Sequence, residues 1–207
     1  MKVALINYGM GNLGSVRRAL EDLGANVIIA EHPLMLLDAN RLVLPGVGSF
    51  GAGMERLRNG GWIEALYQQV IEHHKPILGI CLGMQMLSGL SEENGLHEGL
   101  NFIPGKVLRL DKLGCSLRIP HVGWNEVNYR EGMGLFNKIP QAMDFYFVHS
   151  YAVVVEDPAD VSATTSYGTT VTSAISRHNI FGTQFHPEKS SKSGKQILKN
   201  FLDYTPC

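Results

Sequence analysis

Cys81, His186 and Glu188 are the residues whose types and spacing point most directly to chemistry. Cys81 lies in Gly79-Ile80-Cys81-Leu82-Gly83, behind the apolar run Pro76-Ile77-Leu78. Ahead of it is a helical pattern in which Met84 faces with Leu87 and Met86 with Leu90. Strand, sharp turn and helix is the layout that presents a nucleophile at a strand end, here with a thiol where hydrolases place a hydroxyl. Flanking glycines suit a turn whose backbone runs close to its neighbours. A thiol at a helix N-terminus ionises more readily because the helix dipole favours the thiolate. The N–H of the next residue, Leu82, would point at a developing oxyanion. A buried cysteine that only packs is the competing reading of this segment taken alone.

A base for such a thiol is offered by Phe185-His186-Pro187-Glu188. Pro187 disfavours helical geometry at His186 and pushes it toward an extended conformation. Residues two apart in an extended chain share a face, so Glu188 is expected beside the His186 ring. A carboxylate there fixes the imidazole tautomer and stabilises the imidazolium. The alternative is a strand that ends in a solvated His and Glu. Together the two motifs form a Cys–His–acid set that is distant in sequence and adjacent in space.

Other signals compete. Gly9-Met10-Gly11-Asn12-Leu13-Gly14 follows an apolar strand and opens a helix, with Glu31 near the end of the next strand. That matches a dinucleotide-binding turn. The second half of the chain lacks the strand–helix alternation that such a fold continues, so no cofactor is expected. His73 and His74 are adjacent and diverge on a helix, and neither a zinc-protease His pattern nor a Cys pair is present, so no metal is expected. Lys192-Ser193-Gly194-Lys195 lacks the spacing of a phosphate loop and reads as a solvated helix start.

The elements that must position these residues are legible in outline. The chain has 207 residues, 44% of them hydrophobic and 18% charged, with a net charge of −1. That suits one domain, 1–207, with a substantial core. It gives no basic stripe for nucleic acid and no charge to hold an acidic membrane. The 3 cysteines, Cys81, Cys115 and Cys207, do not form a disulfide framework. The N-terminal apolar run is too short for a signal peptide, so a reduced, cytoplasmic protein is expected. Strands are expected at Val3–Ile6, Val27–Ala30, Leu42–Leu44 and Ile77–Ile80. Between them, Leu13, Val16, Leu20 and Leu23 mark a helix stopped by Gly24, and Trp62, Leu66, Gln69 and Val70 mark another that ends near His73. Alternating strands and helices imply a parallel sheet covered on both faces. Beyond residue 100 come extended runs at Val107–Leu110, Gly123–Val127, Phe145–Val155, Ser162–Tyr167, Thr172–Ser176 and Ile180–His186, expected as hairpins and edge strands of that sheet. A helix at Lys195–Tyr204 closes the chain.

The elbow with Phe185-His186-Pro187-Glu188 resembles the triad-type, class I glutamine amidotransferases. Asn7-Tyr8-Gly9-Met10-Gly11-Asn12, Leu44-Pro45-Gly46-Val47-Gly48-Ser49-Phe50, Pro120-His121-Val122-Gly123-Trp124-Asn125 and Lys189-Ser190-Ser191 are similar to the glutaminase subunits of imidazole glycerol phosphate synthases, across nearly the whole chain. The resemblance implies an α/β fold of three layers, flavodoxin-like, with a central mixed and largely parallel sheet. It implies hydrolysis of L-glutamine through a Cys81 thioester, with His186 as acid and base. Leu82 with Val47 or Gly48 would form the oxyanion hole. Gly48, Gln85, Glu93, Ser150 and Tyr151 would hold glutamine, with Glu92 an alternative to Glu93 in register. Met10, Asn12, Trp124, Tyr146 and Lys189 would meet a (βα)8-barrel cyclase subunit in a heterodimer that makes imidazole glycerol phosphate for histidine biosynthesis. A different free-standing class I glutaminase, such as one serving pyridoxal phosphate synthesis, and a non-catalytic regulatory subunit are the alternatives.

Overall fold

The computed structural model describes residues 1–129 and 134–205; Cys207 lies outside them. The first half alternates as the pattern requires: β1 (Lys2–Ile6), α1 (Leu13–Glu21), β2 (Asn26–Ala30), β3 (Arg41–Gly46), α2 (Phe50–Asn59), α3 (Trp62–Tyr67), β4 (Ile77–Cys81) and α4 (Leu82–Met86). Then come β5 (Leu90–Ser91), β6 (His97–Glu98), β7 (Gly105–Arg109), β8 (His121–Tyr129), β9 (Met143–His149), β10 (Tyr151–Val155), β11 (Val161–Ser166), β12 (Thr170–Arg177) and β13 (Ile180–Thr183). The last element is α5 (Ser191–Asp203).

A nine-stranded sheet runs β2-β1-β3-β4-β13-β12-β11-β8-β9. Its first five strands are parallel, and the remaining pairings are antiparallel. The change follows from connection length. Helical crossovers return a strand parallel, while the short turns beyond residue 160 can only reverse it. Side chains of β1 alternate between two cores. Val3 and Leu5 pack with Val16 and Leu20 of α1 and with Ile197, Leu198 and Phe201 of α5. Ala4 and Ile6 pack on the other face with Met54 and Leu57 of α2, Trp62 and Leu66 of α3, and Met84 of α4. Two apolar faces covered by helices make the three layers.

Three expectations change, and one helix, α2, was not anticipated. The extended runs do not all join the main sheet: β10, β7, β5 and β6 form a separate four-stranded sheet. Phe145–Val155 therefore divides at Ser150, with β9 in one sheet and β10 in the other. The helix after Cys81 stops at Met86, and Leu90 lies in a strand paired with Glu98. Gly89 sits at that change, where a Cβ would lie 3.1 Å from Gly105 O. Helix α2 gives little sequence signal because Gly51 and Gly53 weaken its first turn; a Cβ on Gly53 would lie 2.7 Å from Met86 Sδ. Finally, α5 begins at Ser191, and Ser193 and Gly194 are buried rather than solvated. A Cβ on Gly194 would sit 2.0 Å from Pro187 O, so glycine lets α5 lie directly on the His186–Glu188 loop.

Candidate active site

At the end of β4 the chain turns at once into α4, and Cys81 occupies the turn at φ 55°, ψ −109°. This is sparsely populated for a residue with a Cβ and marks stored backbone strain. The two glycines explain why the turn can be so tight. A Cβ on Gly83 would lie 1.8 Å from Leu44 O, and one on Gly79 would lie 2.7 Å from the carbonyl of Gly83. The helix therefore starts in contact with β3. Strand β3 itself ends at Gly46, level with Cys81, so Val47 and Gly48 emerge beside the thiol.

His186 arrives from the strand on the other side, since β13 pairs with β4. Its φ of −95° and ψ of 98° are extended, as Pro187 requires. Glu188 is not reached by an extended chain, however. Pro187–Lys189 form a 3-10 turn, and this turn folds the carboxylate back onto the ring. His186 Nδ1–H donates to Glu188 Oε1 at 2.9 Å, with both side chains nearly inaccessible. The loop is braced by three hydrogen bonds. Ser190 Oγ donates to His186 O at 2.7 Å and accepts from Tyr146 N at 3.0 Å, and His186 N donates to Tyr146 O at 2.9 Å. The His186 pKa is raised to about 9: burial opposes the charged form, but the neighbouring Cys81 sulfur and the Glu188 carboxylate outweigh it. With Nδ1 committed to Glu188, Nε2 is the nitrogen left to face the Cys81 sulfur and a reacting group.

These residues line a cleft of about 390 Å³, shared by Val47, Gly48, Cys81, Leu82, Gln85, Glu93, Pro120, Val148, His149, Ser150, Tyr151 and His186. Every residue expected to bind substrate or form an oxyanion hole is present. The two glutamates take different environments. Glu93 faces the cleft and accepts from Phe50 N at 2.6 Å, whereas Glu92 is tied to Lys112 Nζ at 2.7 Å on the surface. The five expected partner residues lie outside this lining. Met10 packs over Gly48, and Asn12 Oδ1 caps α1 by accepting from Ser15 N at 3.3 Å. Trp124 and Tyr146 pack edge to face at 6.0 Å, and Lys189 Nζ lies 5.7 Å from the Tyr146 ring centre. Val122 opposes Val148 and Trp124 opposes Tyr146 on the β8–β9 pair. Val122, Trp124 and Val148 are exposed, so an apolar ladder runs from the surface to the cleft. The Gly9–Gly14 turn is explained by packing: a Cβ on Gly11 would press on Pro45 at 3.2 Å, and one on Gly14 would meet nothing.

Sequence reasoning missed His121, His149 and Gln184. All three are buried. His149 Nδ1–H donates to Tyr151 O at 2.8 Å, so its Nε2 accepts from His121 Nδ1–H at 3.0 Å. His121 Nε2 in turn accepts from Asn125 Nδ2 at 3.3 Å. Both imidazoles are neutral in this arrangement, and burial lowers the pKa of each to about 4. A buried His inside an apolar alternating run was the available signal. The unfolded chain takes up these protons near pH 6.5 and the folded chain only near 4, so stability is present above about pH 6.5 and falls as pH drops toward 4. His121→Gln removes one of the two groups and should flatten this acid limb, measured by urea denaturation over a pH series.

The chain matches the class I glutamine amidotransferase family model over residues 4–204. The imidazole glycerol phosphate synthase subunit HisH of Syntrophotalea carbinolica is 45% identical over 97% of this chain and 99% of its own length. Subunit HisH 2 of Methanococcus maripaludis is 44% identical over 97% and 98%. Among solved structures, a glutamine amidotransferase superposes with a TM-score of 0.76 at 17% identity, covering 97% of each chain. Another, from Thermotoga maritima, gives 0.67 at 18% identity over 98% of this chain and 83% of that one. The chain belongs to the class I glutamine amidotransferases, within the HisH family of imidazole glycerol phosphate synthase subunits.

Proposed function

We propose that this chain is the glutaminase subunit of an imidazole glycerol phosphate synthase, hydrolysing L-glutamine to L-glutamate and ammonia. The observation that carries this reading is Cys81 on its strained turn in a cleft with the His186–Glu188 pair at 2.9 Å. Cys81 attacks the side-chain amide carbon of glutamine, and the C=O π-pair moves to oxygen. The Leu82 N–H and an N–H of the Val47–Gly48 segment receive that oxyanion. On collapse the C–N bond breaks, and His186 protonates the leaving nitrogen. His186 then takes a proton from water, whose oxygen attacks the thioester and expels the Cys81 thiolate. Gly48, Gln85, Ser150 and Tyr151 hold the amino-acid end, with the Glu93 carboxylate available to its ammonium.

Ammonia released into neutral water becomes ammonium and loses its nucleophilicity, so such a site works against a synthase. The apolar ladder of Val122, Trp124, Tyr146 and Val148 supports docking there of a (βα)8-barrel cyclase as a heterodimer, with Met10, Asn12 and Lys189 at the same face. Because Tyr146 braces the His186 loop through its backbone, contact on this face reaches the triad. An exposed Trp that becomes buried in an interface commonly contributes 2 kcal/mol or more, so Trp124→Ala should weaken cyclase binding about 30-fold, read by calorimetric titration. The test of the function is glutamate release from L-glutamine, with and without the cyclase subunit and its nucleotide ligand. Release stimulated by the cyclase is expected; no release under any condition would overturn the reading.

A further inference from the structure

A buried amide lies behind the cleft wall, beside the nucleophile, with no part in the steps proposed above. Gln184 is fully buried between β13 and His186, with its backbone N–H held by Ser173 O at 2.8 Å. Its side-chain Nε2 lies 3.7 Å from Cys81 Sγ.

The orientation of this amide is dictated by a directed chain of hydrogen bonds. The Tyr151 carbonyl can only accept. It takes His149 Nδ1–H at 2.8 Å and Gln85 Nε2 at 2.9 Å. Gln85 must therefore present its nitrogen, and the same nitrogen donates to Gln184 Oε1 at 3.0 Å. With its oxygen turned to Gln85, Gln184 has only its nitrogen to turn to the sulfur. The same carbonyl orients the His149 ring, whose other nitrogen meets His121.

Two groups compete for the sulfur. The thiol form can donate to Val148 O at 3.9 Å, which favours the neutral state. The Gln184 N–H donates, which favours the charged state, because a donor bonds a thiolate far better than a thiol. The other groups that face the sulfur are the His186 imidazole, with Glu188 behind it, and the buried Tyr8 hydroxyl. The Tyr8 pKa is raised chiefly by burial and further by the Cys81 charge.

We infer that Gln184 is a further catalytic residue: its side-chain N–H bonds the Cys81 thiolate and aims it into the cleft, its polarity set by Gln85 and the Tyr151 carbonyl. The bond is strongest when the sulfur carries charge, before attack on the amide and again as the thioester collapses. This inference rests on Cys81 being the nucleophile proposed above.

The test is alkylation of Cys81 by iodoacetamide across the neutral and alkaline range, read by peptide mass spectrometry on the full chain, in wild type, Gln184→Met and Gln184→Glu. Methionine keeps the volume and removes the donor, while glutamate places a carboxylate against the sulfur. Both should move the alkylation midpoint to higher pH, glutamate further. Both should lower kcat for glutamate release about tenfold or more with KM little changed, the effect expected for losing a hydrogen bond to a charged group. A variant with wild-type thermal stability and a wild-type midpoint overturns the inference. A readout that needs no substitution is the Gln184 side-chain amide resonance of the wild-type protein. It should shift when Cys81 is capped as a methyl disulfide, and an unmoved resonance overturns the inference whether or not the variants fold. Wild-type protein that releases no glutamate counts against the glutaminase reading alone, since alkylation reports on the sulfur without turnover.

Discussion

Gly83→Ala should fail to fold at physiological temperature, or melt about 10 °C or more below the wild type. The added Cβ would lie 1.8 Å from Leu44 O, a backbone atom of β3 in the middle of the parallel sheet. Neither partner can yield alone. Moving Leu44 breaks the β3–β4 register, and moving Gly83 lifts α4 away from the sheet and carries Cys81 with it. Ordinary overpacking costs about 1–3 kcal/mol, and a clash with backbone exceeds that range. At about 2–4 °C per kcal/mol for a chain of this size, a cost of about 4 kcal/mol gives the stated shift. Gly14→Ala is the control. Gly14 lies in α1 and its Cβ would meet nothing within 4 Å, so alanine should stabilise by about 0.5–1 kcal/mol. Thermal melts of the two variants beside the wild type check both signs.

Cys81→Ala has the opposite profile: the fold is kept and glutamate release falls by about four orders of magnitude or more, as when a triad nucleophile is removed. Only one atom leaves a cleft wall. The His186 titration is expected to change with it. In the wild type the pKa is raised to about 9, with Cys81 and Glu188 overcoming burial. Without the sulfur, burial is opposed by Glu188 alone and the pKa falls. Because the folded value lies above the unfolded one, His186 contributes stability below about pH 6.5 that is lost as pH rises through about 9. In Cys81→Ala this alkaline loss should shrink. Glutamate assays, and imidazole NMR titration of both proteins, read these outcomes. An unchanged His186 titration would mean that the ring does not sense the sulfur.

The meeting of Cys81, His186 and Glu188 in one cleft was legible because its geometry is set locally. Gly79 and Gly83 announce a cramped turn, and Pro187 forces His186 out of helical conformation. Even there the route differed from expectation, since Glu188 meets the ring through a 3-10 turn rather than along an extended chain. The parallel half of the sheet was legible from β-branched runs separated by helical periods. The small second sheet was not, because Phe145 to Val155 reads as one strand and nothing in the sequence marks the change of sheet at Ser150. His121, His149 and Gln184 stayed hidden for a related reason. A buried polar residue is satisfied by partners far away in sequence, and no local spacing records them. Glu93 was separated from Glu92 only by tertiary contacts, with Phe50 N for one and Lys112 for the other.

The most direct test of Cys81 as the nucleophile is covalent. Wild-type protein with the cyclase subunit and its nucleotide ligand is mixed with isotopically labelled L-glutamine, quenched in acid during turnover and digested. Labelled glutamyl is expected as a thioester on the peptide that carries Cys81 and on no other, absent from Cys81→Ala. Steady glutamate production with no label on that peptide, or the same production by Cys81→Ala, would contradict that role of Cys81.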